Sequence, residues 1–359
     1  MSATLTIPAP LDPHVHLRDL NWAHKGTSSS ETAAALAGGY WAVLDMPNTP
    51  PPTIDPQALA TKLAALSAGA VCDWGVYFGA SQDDNTAHYP QVVGQVCGLK
   101  LYNNATTGTL LLADQVAREV HFRAWPAGRV IAVHAEGETV ADILTLVRRT
   151  RKQTHFCHIS TAQEIALLRA AKAEGLPVSV GVTPHHLFLT ERDVSVLGAL
   201  GRMKPELKTA ADQAALWEAL ADGTVDVVES DHAPHTLAEK QIDPPPSGVP
   251  GLETTLPLLL TAVREGRLTI ERVVALVATN PRRIFGLQAP PETYTELDPD
   301  ASYVIARETL HTACGWSPFE GMRVWGRVRR VVVRGQTAFE DGEVRVAPGF
   351  GRNLFAEGT

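Results

Sequence analysis

The sequence predicts an α/β protein, a (β/α)8 barrel of the TIM type with a small β annex built from the two termini, and three observations lead there. Eight short apolar or β-branched runs recur along the chain, each ending in a polar tip. Between them lie Ala/Leu-rich stretches with helical spacing, often stopped by glycine. The histidines and other unusual polar residues fall at the C-terminal ends of the runs, the side on which parallel barrels carry their working residues. A doubly wound open sheet would give the same alternation, but no glycine-rich phosphate turn follows the first run.

The first run is LDPHVHL, opening at residue 11, and SSETAAALAGG (29–39) behind it has helical spacing. YWAVLDMP (40–47), DWGVYFGA (73–80), GLKLY (98–102) and VIAVHAE (130–136) are the next four. THFCHIS (154–160) follows, with TAQEIALLRAAKAEG (161–175) as its helix. PVSVGVTP (177–184) and VDVVESDHAP (225–234) complete the eight, and the barrel is expected over 9–287. After NPRRIFGL (280–287) the texture changes. ASYVIA (301–306) and GRVRRVVVRGQTAFEDGEVRV (326–346) look like strands and a hairpin, with turn chemistry at Asp341-Gly342. Together with TLTIPAP near the start they predict the annex, over 1–8 plus 298–350. DPPPSGVPG (243–251) reads as a stiff surface loop.

Composition narrows the function. A chain of 359 residues can bury a sizeable core and hold one large domain with an appendage. A net charge of −8 argues against general binding to nucleic acid or an anionic membrane. No apolar run is long enough to span a bilayer, and MSATLTIPAP lacks a basic region followed by an apolar core. Cys72, Cys97, Cys157 and Cys314 are scattered, with no Cys-x-x-Cys pair, as expected for reduced thiols in a cytoplasmic protein. A metal would have to be held by histidine and carboxylate.

Those residues are present. His14 and His16, two apart on a strand, point to one face and can grip one ion. His134 closes the fifth run, His158 the sixth and Asp231 the eighth, while Lys100 lies within the fourth, an expensive place for a lysine. Singly, each has a plain reading: a hydrogen-bonded core histidine, a loop-holding aspartate, a lysine snorkelling to solvent. Jointly, at successive strand ends of one barrel, they point to a divalent metal with nitrogen and oxygen ligands, zinc being expected. Arg18, two past His16 on the same strand face, can form a bidentate pair with a carboxylate. Asn48 closes the second run and can donate from its amide, and His235 follows Asp231 by four.

The strings DPHVHLRD, DMPNTPPP, GLKLYNNATT, HAE, CHIS, TPHHLFLT, SDHAPHT, GVPGLETTLPLLLTAV, NPRRIFGL and SPFEGMRVWGRV occur in that order, nearly end to end. They resemble dihydroorotase, of the amidohydrolase superfamily, and most closely the type fused in the animal multifunctional pyrimidine-synthesis protein. The resemblance implies reversible hydrolysis of the cyclic amide of dihydroorotate to N-carbamoyl-aspartate. It implies two divalent ions, His14 and His16 on the more buried one, His134 and His158 on the other. Lys100, carboxylated by CO2 to a carbamate, would bridge them, and Asp231 would complete the buried site. A hydroxide between the metals would attack the ring carbonyl, with Asp231 carrying the proton to the departing nitrogen. Arg18, Asn48 and His235 would hold the substrate carboxylate, and Thr106 would reach it from a lid at NNATTG (103–108).

Two departures stand out. About ten residues precede DPHVH, so the annex is expected to be reduced, and Lys204 stands where the fused animal enzyme has arginine. His185 and His186 are expected to hydrogen-bond structurally, and Cys157 to lie near the site without being a ligand. The alternatives are another cyclic-amide hydrolase, hydantoinase- or allantoinase-like, and a non-catalytic partner of aspartate transcarbamoylase. A homodimer, or a complex with that transcarbamoylase, is also implied.

Overall fold

The computed structural model of the chain describes residues 4–356. After β1 (Leu5–Pro8), which belongs to the annex, the barrel opens with β2 (Leu11–Val15), β3 (Ala42–Asp45), β4 (Asp73–Gly79) and β5 (Gly98–Tyr102). It continues with β6 (Val130–His134), β7 (Thr154–Phe156), β8 (Val178–Val182) and β9 (Val227–Val228), all parallel and in sequence order around the sheet. Every residue of β2 to β7 is buried. Strands covered on both faces favour apolar side chains on both, which is why the sequence shows runs here rather than alternation.

The eighth strand differs from expectation, since VDVVESDHAP pairs with its neighbour over two residues only. Beyond them Asp231 leaves the extended region, with φ 45°. The ring then closes through a parallel bridge between Val15 and His232, where the His16 N–H donates to the His232 carbonyl at 2.7 Å.

The outer helices start where side chains can take their orphan amides. Thr27 and Ser30 form a capping box on the helix Ser28–Ala37, and Thr161 and Glu164 do so on Ala162–Ala173. Asp55 caps Pro56–Gly69, which carries its proline in the first turn where no amide is missed. The connection after β4 departs from the pattern, holding the short helix Tyr89–Val92 flanked by 3-10 turns before β5.

The annex is a five-stranded antiparallel sheet ordered β1, β10 (Tyr294–Val304), β11 (Arg323–Val333), β12 (Gln336–Glu340) and β13 (Glu343–Val344). β10 begins four residues ahead of position 298. Both hairpin turns have two consecutive left-handed residues, Arg334-Gly335 and Asp341-Gly342, whose twist suits antiparallel strands. The chain then returns under the barrel. Trp74 N–H donates to the Arg352 carbonyl at 2.9 Å, and Leu354 N–H to the Trp74 carbonyl at 2.8 Å. Gly351 allows this approach, because a Cβ there would run into the Cys72 carbonyl. One apolar core runs through barrel and annex alike. The four cysteines are buried and unpaired, and no described helix is long and apolar enough to cross a membrane.

Candidate active site

β2 delivers His14, and His16 follows one residue past its end; both are buried, with ring centroids 5.4 Å apart. Their Nε2 atoms converge on one oxygen, Asp231 Oδ1, at 3.2 and 3.3 Å. The protons of His16 can be assigned. Asn48 Nδ2 donates to the Thr107 carbonyl at 2.9 Å, which turns its Oδ1 toward His16 Nδ1 at 2.8 Å. Nδ1 therefore carries the hydrogen. Burial holds the ring below the usual histidine range despite Asp231, so His16 is neutral and its Nε2 is a bare lone pair. A lone pair facing a carboxylate oxygen at 3.3 Å is repulsive unless a cation lies between them. The donor set thus fits a metal ion.

The same holds around it. Burial, then the charge of Lys100, pushes His14 well down, and its Nδ1 has no hydrogen-bond partner, Glu229 Oε1 being 3.7 Å away. His134 Nδ1 and His158 Nε2 face each other at 3.1 Å, while His134 Nε2 donates to Glu136 Oε1 at 2.9 Å. Burial, then His134, lowers His158 well below its usual range, and its Nδ1 too is unpaired. Lys100 is wholly buried and has no carboxylate ion pair among the described residues; its Nζ donates to Cys157 Sγ at 3.2 Å. Burial raises the Cys157 thiol to about 12. Among the described residues two sets of three donors lie close enough to share an ion, His14, His16 and Asp231, and His14, Cys157 and Glu229. His134 and His158 have no third such donor close enough among the described residues.

The supports behind these candidate donors escaped the sequence reading. Glu229 accepts the His158 N–H on Oε1 at 2.7 Å and His155 Nε2 on Oε2 at 3.0 Å, and Gly181 leaves it the room a Cβ would take. Asp12, raised to about 7 by burial, ties β2 to the eighth strand by accepting from His14 N and Ser230 N, both at 3.1 Å. Asp12 lies two residues before His14 on β2 and Glu229 two before Asp231, and that spacing was the available signal. Asp45 has no such signal. It accepts the Leu17 N–H at 2.8 Å and pairs with buried Lys62 at 2.5 Å, whose Nζ also donates to the Arg18 carbonyl at 3.3 Å.

That clamp holds an unusual loop. Arg18 does not share the strand face, as expected from its spacing; with Asp19 and Leu20 it has positive φ, of 61°, 60° and 46°. Each left-handed residue costs roughly 1–3 kcal/mol and persists where surroundings over-determine it. The turn carries Arg18 into the wall of a small cavity over the histidines, also lined by Asn48, Tyr102, Thr106 and Lys204. Arg18 is 1% exposed, donates from Nε to the Pro234 carbonyl at 3.0 Å, and leaves NH1 without a partner.

The remaining expected residues divide. Thr106 lines the cavity, and its neighbour Thr107 donates from Oγ1 to the Ser247 carbonyl at 3.0 Å, tying 103–108 to the loop 243–251. Asn48 lines it too, but spends its amide on His16 and Thr107. His235 stands behind Arg18, its Nε2 3.2 Å from NH2, outside the cavity lining. Burial and then Arg18, Lys25 and Lys240 push it down to about 2, so it is neutral. His186 hydrogen-bonds Thr183 and the Pro205 carbonyl, whereas both ring nitrogens of His185 are unpaired. Tyr102, not singled out from sequence, lines the cavity with a buried, unpaired hydroxyl that burial keeps protonated.

No family model matches the chain. Among curated proteins, the "Multifunctional protein CAD" of Squalus acanthias is 45% identical over 98% of this chain and 16% of its own length. The chain therefore spans about a sixth of such multifunctional relatives. A "Dihydroorotase" of Halobacterium salinarum is 36% identical over 97% of this chain and 89% of its own. Among solved structures, an L-hydantoinase from Arthrobacter aurescens superposes with a TM-score of 0.92 at 26% identity, over 98% of this chain and 89% of that one. An inactive dihydroorotase-like domain of a Chaetomium thermophilum CAD-like protein gives 0.82 at 28%, over 98% and 99%.

Proposed function

Because the chain belongs to the dihydroorotase family of cyclic amidohydrolases, we propose that it opens dihydroorotate to N-carbamoyl-aspartate and closes it again. The observation that carries the substrate is Arg18 NH1: a buried, unpaired cationic donor in the wall of the same cavity as the histidines. A charge left unpaired at 1% exposure is costly, and a substrate carboxylate repays it.

The reading assigns His14, His16 and Asp231 to one divalent ion and His134 and His158 to a second, with zinc the expected metal. Lys100 would bridge them as a carbamate. Its surroundings support this, since a buried ammonium beside a thiol has no carboxylate partner among the described ion pairs, whereas a carbamate is an anion that two cations hold. When bound, the ions supply an acidified water and polarise the amide carbonyl.

The chain's own groups do the rest. Arg18 pairs with the substrate carboxylate through NH1, held by the Pro234 carbonyl, with the His235 ring behind NH2. Asn48 keeps the proton of His16 on Nδ1, and through Thr107 keeps segment 103–108 over the substrate, with Thr106 facing it. Asp231 accepts a proton from the attacking water at its carboxylate and returns it to the ring nitrogen as the C–N bond breaks. One water is thereby added across the amide. Lys204, in the cavity wall and paired at 3.0 Å with exposed Glu206, can swing to the substrate as a single point charge.

A hydantoinase-like activity would need no partner for Arg18, and an inactive domain would have no use for a complete donor set. Assaying dihydroorotate beside hydantoin, an uncharged cyclic ureide, tests the reading. Turnover of dihydroorotate at least tenfold above hydantoin supports it, and the reverse order overturns it. Pairing with a second copy or with an aspartate transcarbamoylase belongs to the same proposal, and sedimentation with and without that partner tests it.

A further inference from the structure

We infer that Glu31 is a positioning residue for Asp231, acting through His232, and that the annex segment 311–313 is part of the support of the site. The inference rests on the role proposed for Asp231. Glu31 lies in the helix Ser28–Ala37, is wholly buried and has no lysine or arginine partner among the described ion pairs. Its charge is held by four donors instead. Oε2 accepts from His232 Nε2 at 2.7 Å and Thr312 Oγ1 at 2.6 Å. Oε1 accepts from the Ala313 N–H at 3.0 Å and Ser30 Oγ at 2.8 Å.

The protons on His232 are set by its other nitrogen. The Gly251 N–H donates to Nδ1 at 3.2 Å, so Nε2 carries the hydrogen that points at Glu31. Fixing this ring fixes the main chain beside Asp231. The His232 carbonyl takes the His16 N–H at 2.7 Å, closing the barrel, and its own N–H goes to Ser230 Oγ at 3.0 Å. Asp231 sits between these anchors in the left-handed region, which its surroundings must enforce.

The annex completes the brace. Glu253, from the helix Leu252–Arg264, accepts the N–H of His311 at 2.8 Å and of Thr312 at 3.0 Å. Glu31 takes the next amide, Ala313. Two barrel carboxylates thus hold three consecutive annex amides, and one of them also holds His232. The annex is thereby wired to the carboxylate on which the ligand histidines converge.

Glu31→Gln keeps the shape but turns an NH2 toward donors. We expect kcat on dihydroorotate to fall about 10- to 100-fold with KM within about twofold, and the zinc affinity of the metal-stripped protein to weaken about tenfold or more, the scale for losing a group that orients metal ligands. Thr312→Val is expected to move both in the same direction by a smaller factor. Val331→Ala, a cavity in the annex core, serves as the matched control: it lowers the thermal midpoint and leaves kcat and zinc affinity unchanged. If Glu31→Gln only lowers the midpoint, with kcat and zinc affinity within twofold of the parent, Glu31 is structural and the inference falls. If Glu31→Gln does not fold, unchanged values in folded Thr312→Val overturn it. A parent that binds zinc but does not turn over dihydroorotate refutes the proposed function, while the zinc titrations still decide this inference.

Discussion

The two ends of the barrel both bury an aspartate, and they treat it differently. At the bottom, Asp73 opens β4, and both its oxygens meet Arg334 NH1 at 2.5 Å; Oδ1 also accepts the Arg352 N–H at 2.9 Å. Arg334 NH2 in turn donates to the Phe350 carbonyl at 3.0 Å. The chain supplies every partner. At the top, Asp231 faces two imidazole nitrogens, and the surrounding cavity wall holds unpaired atoms on His14, His158, Arg18 and Tyr102. Isolated unpaired atoms occur elsewhere, on Trp41 and Trp74 for instance, so one orphan means little. Four around a single cavity mark the place where partners come from outside.

If this contrast is right, polar residues at the top can be removed at the expense of activity and those at the bottom at the expense of stability. Lys100→Met should show the largest effect: turnover reduced by about 10³-fold or more, with the thermal midpoint of the metal-stripped protein held or raised because a buried amine without a carboxylate partner is gone. A lowered midpoint in calorimetry would break the contrast. Arg18→Met should reduce kcat/KM by about 10- to 100-fold, the ~1.5–3 kcal/mol of a hydrogen bond to a charged group, mostly through KM. An unchanged KM for dihydroorotate would mean that its carboxylate is held elsewhere. Asp73→Asn should do the opposite, lowering stability in denaturant by about 3 kcal/mol as Arg334 loses its buried counter-charge, with kcat within twofold. A large drop in kcat would show that the two ends are coupled.

Much of this was legible in sequence because it has a short period. Runs of buried residues gave strands β2 to β8, and GLKLY matches β5 at both ends. His14, His16, Lys100, His134, His158 and Asp231 stood out as expensive residues at strand ends, and the fold gathers them at one end of the barrel. What failed to show depends on distance in the fold. β9 runs for only two residues before the backbone turns left-handed at Asp231, and nothing in VDVVESDHAP announces that. Arg18 reads as a strand residue because the left-handed turn is imposed by Asp45 and Lys62, 27 and 44 positions away. Glu31 and Thr312 meet across 281 positions, beyond any local pattern.

The most direct test is ring opening of dihydroorotate by the zinc-loaded protein, followed beside Asp231→Ala and after chelation. Turnover in the parent alone, lost with either change and restored by returning zinc to the chelated parent, is the expected result. No turnover in a folded, zinc-loaded parent would contradict the account, and so would undiminished turnover in Asp231→Ala.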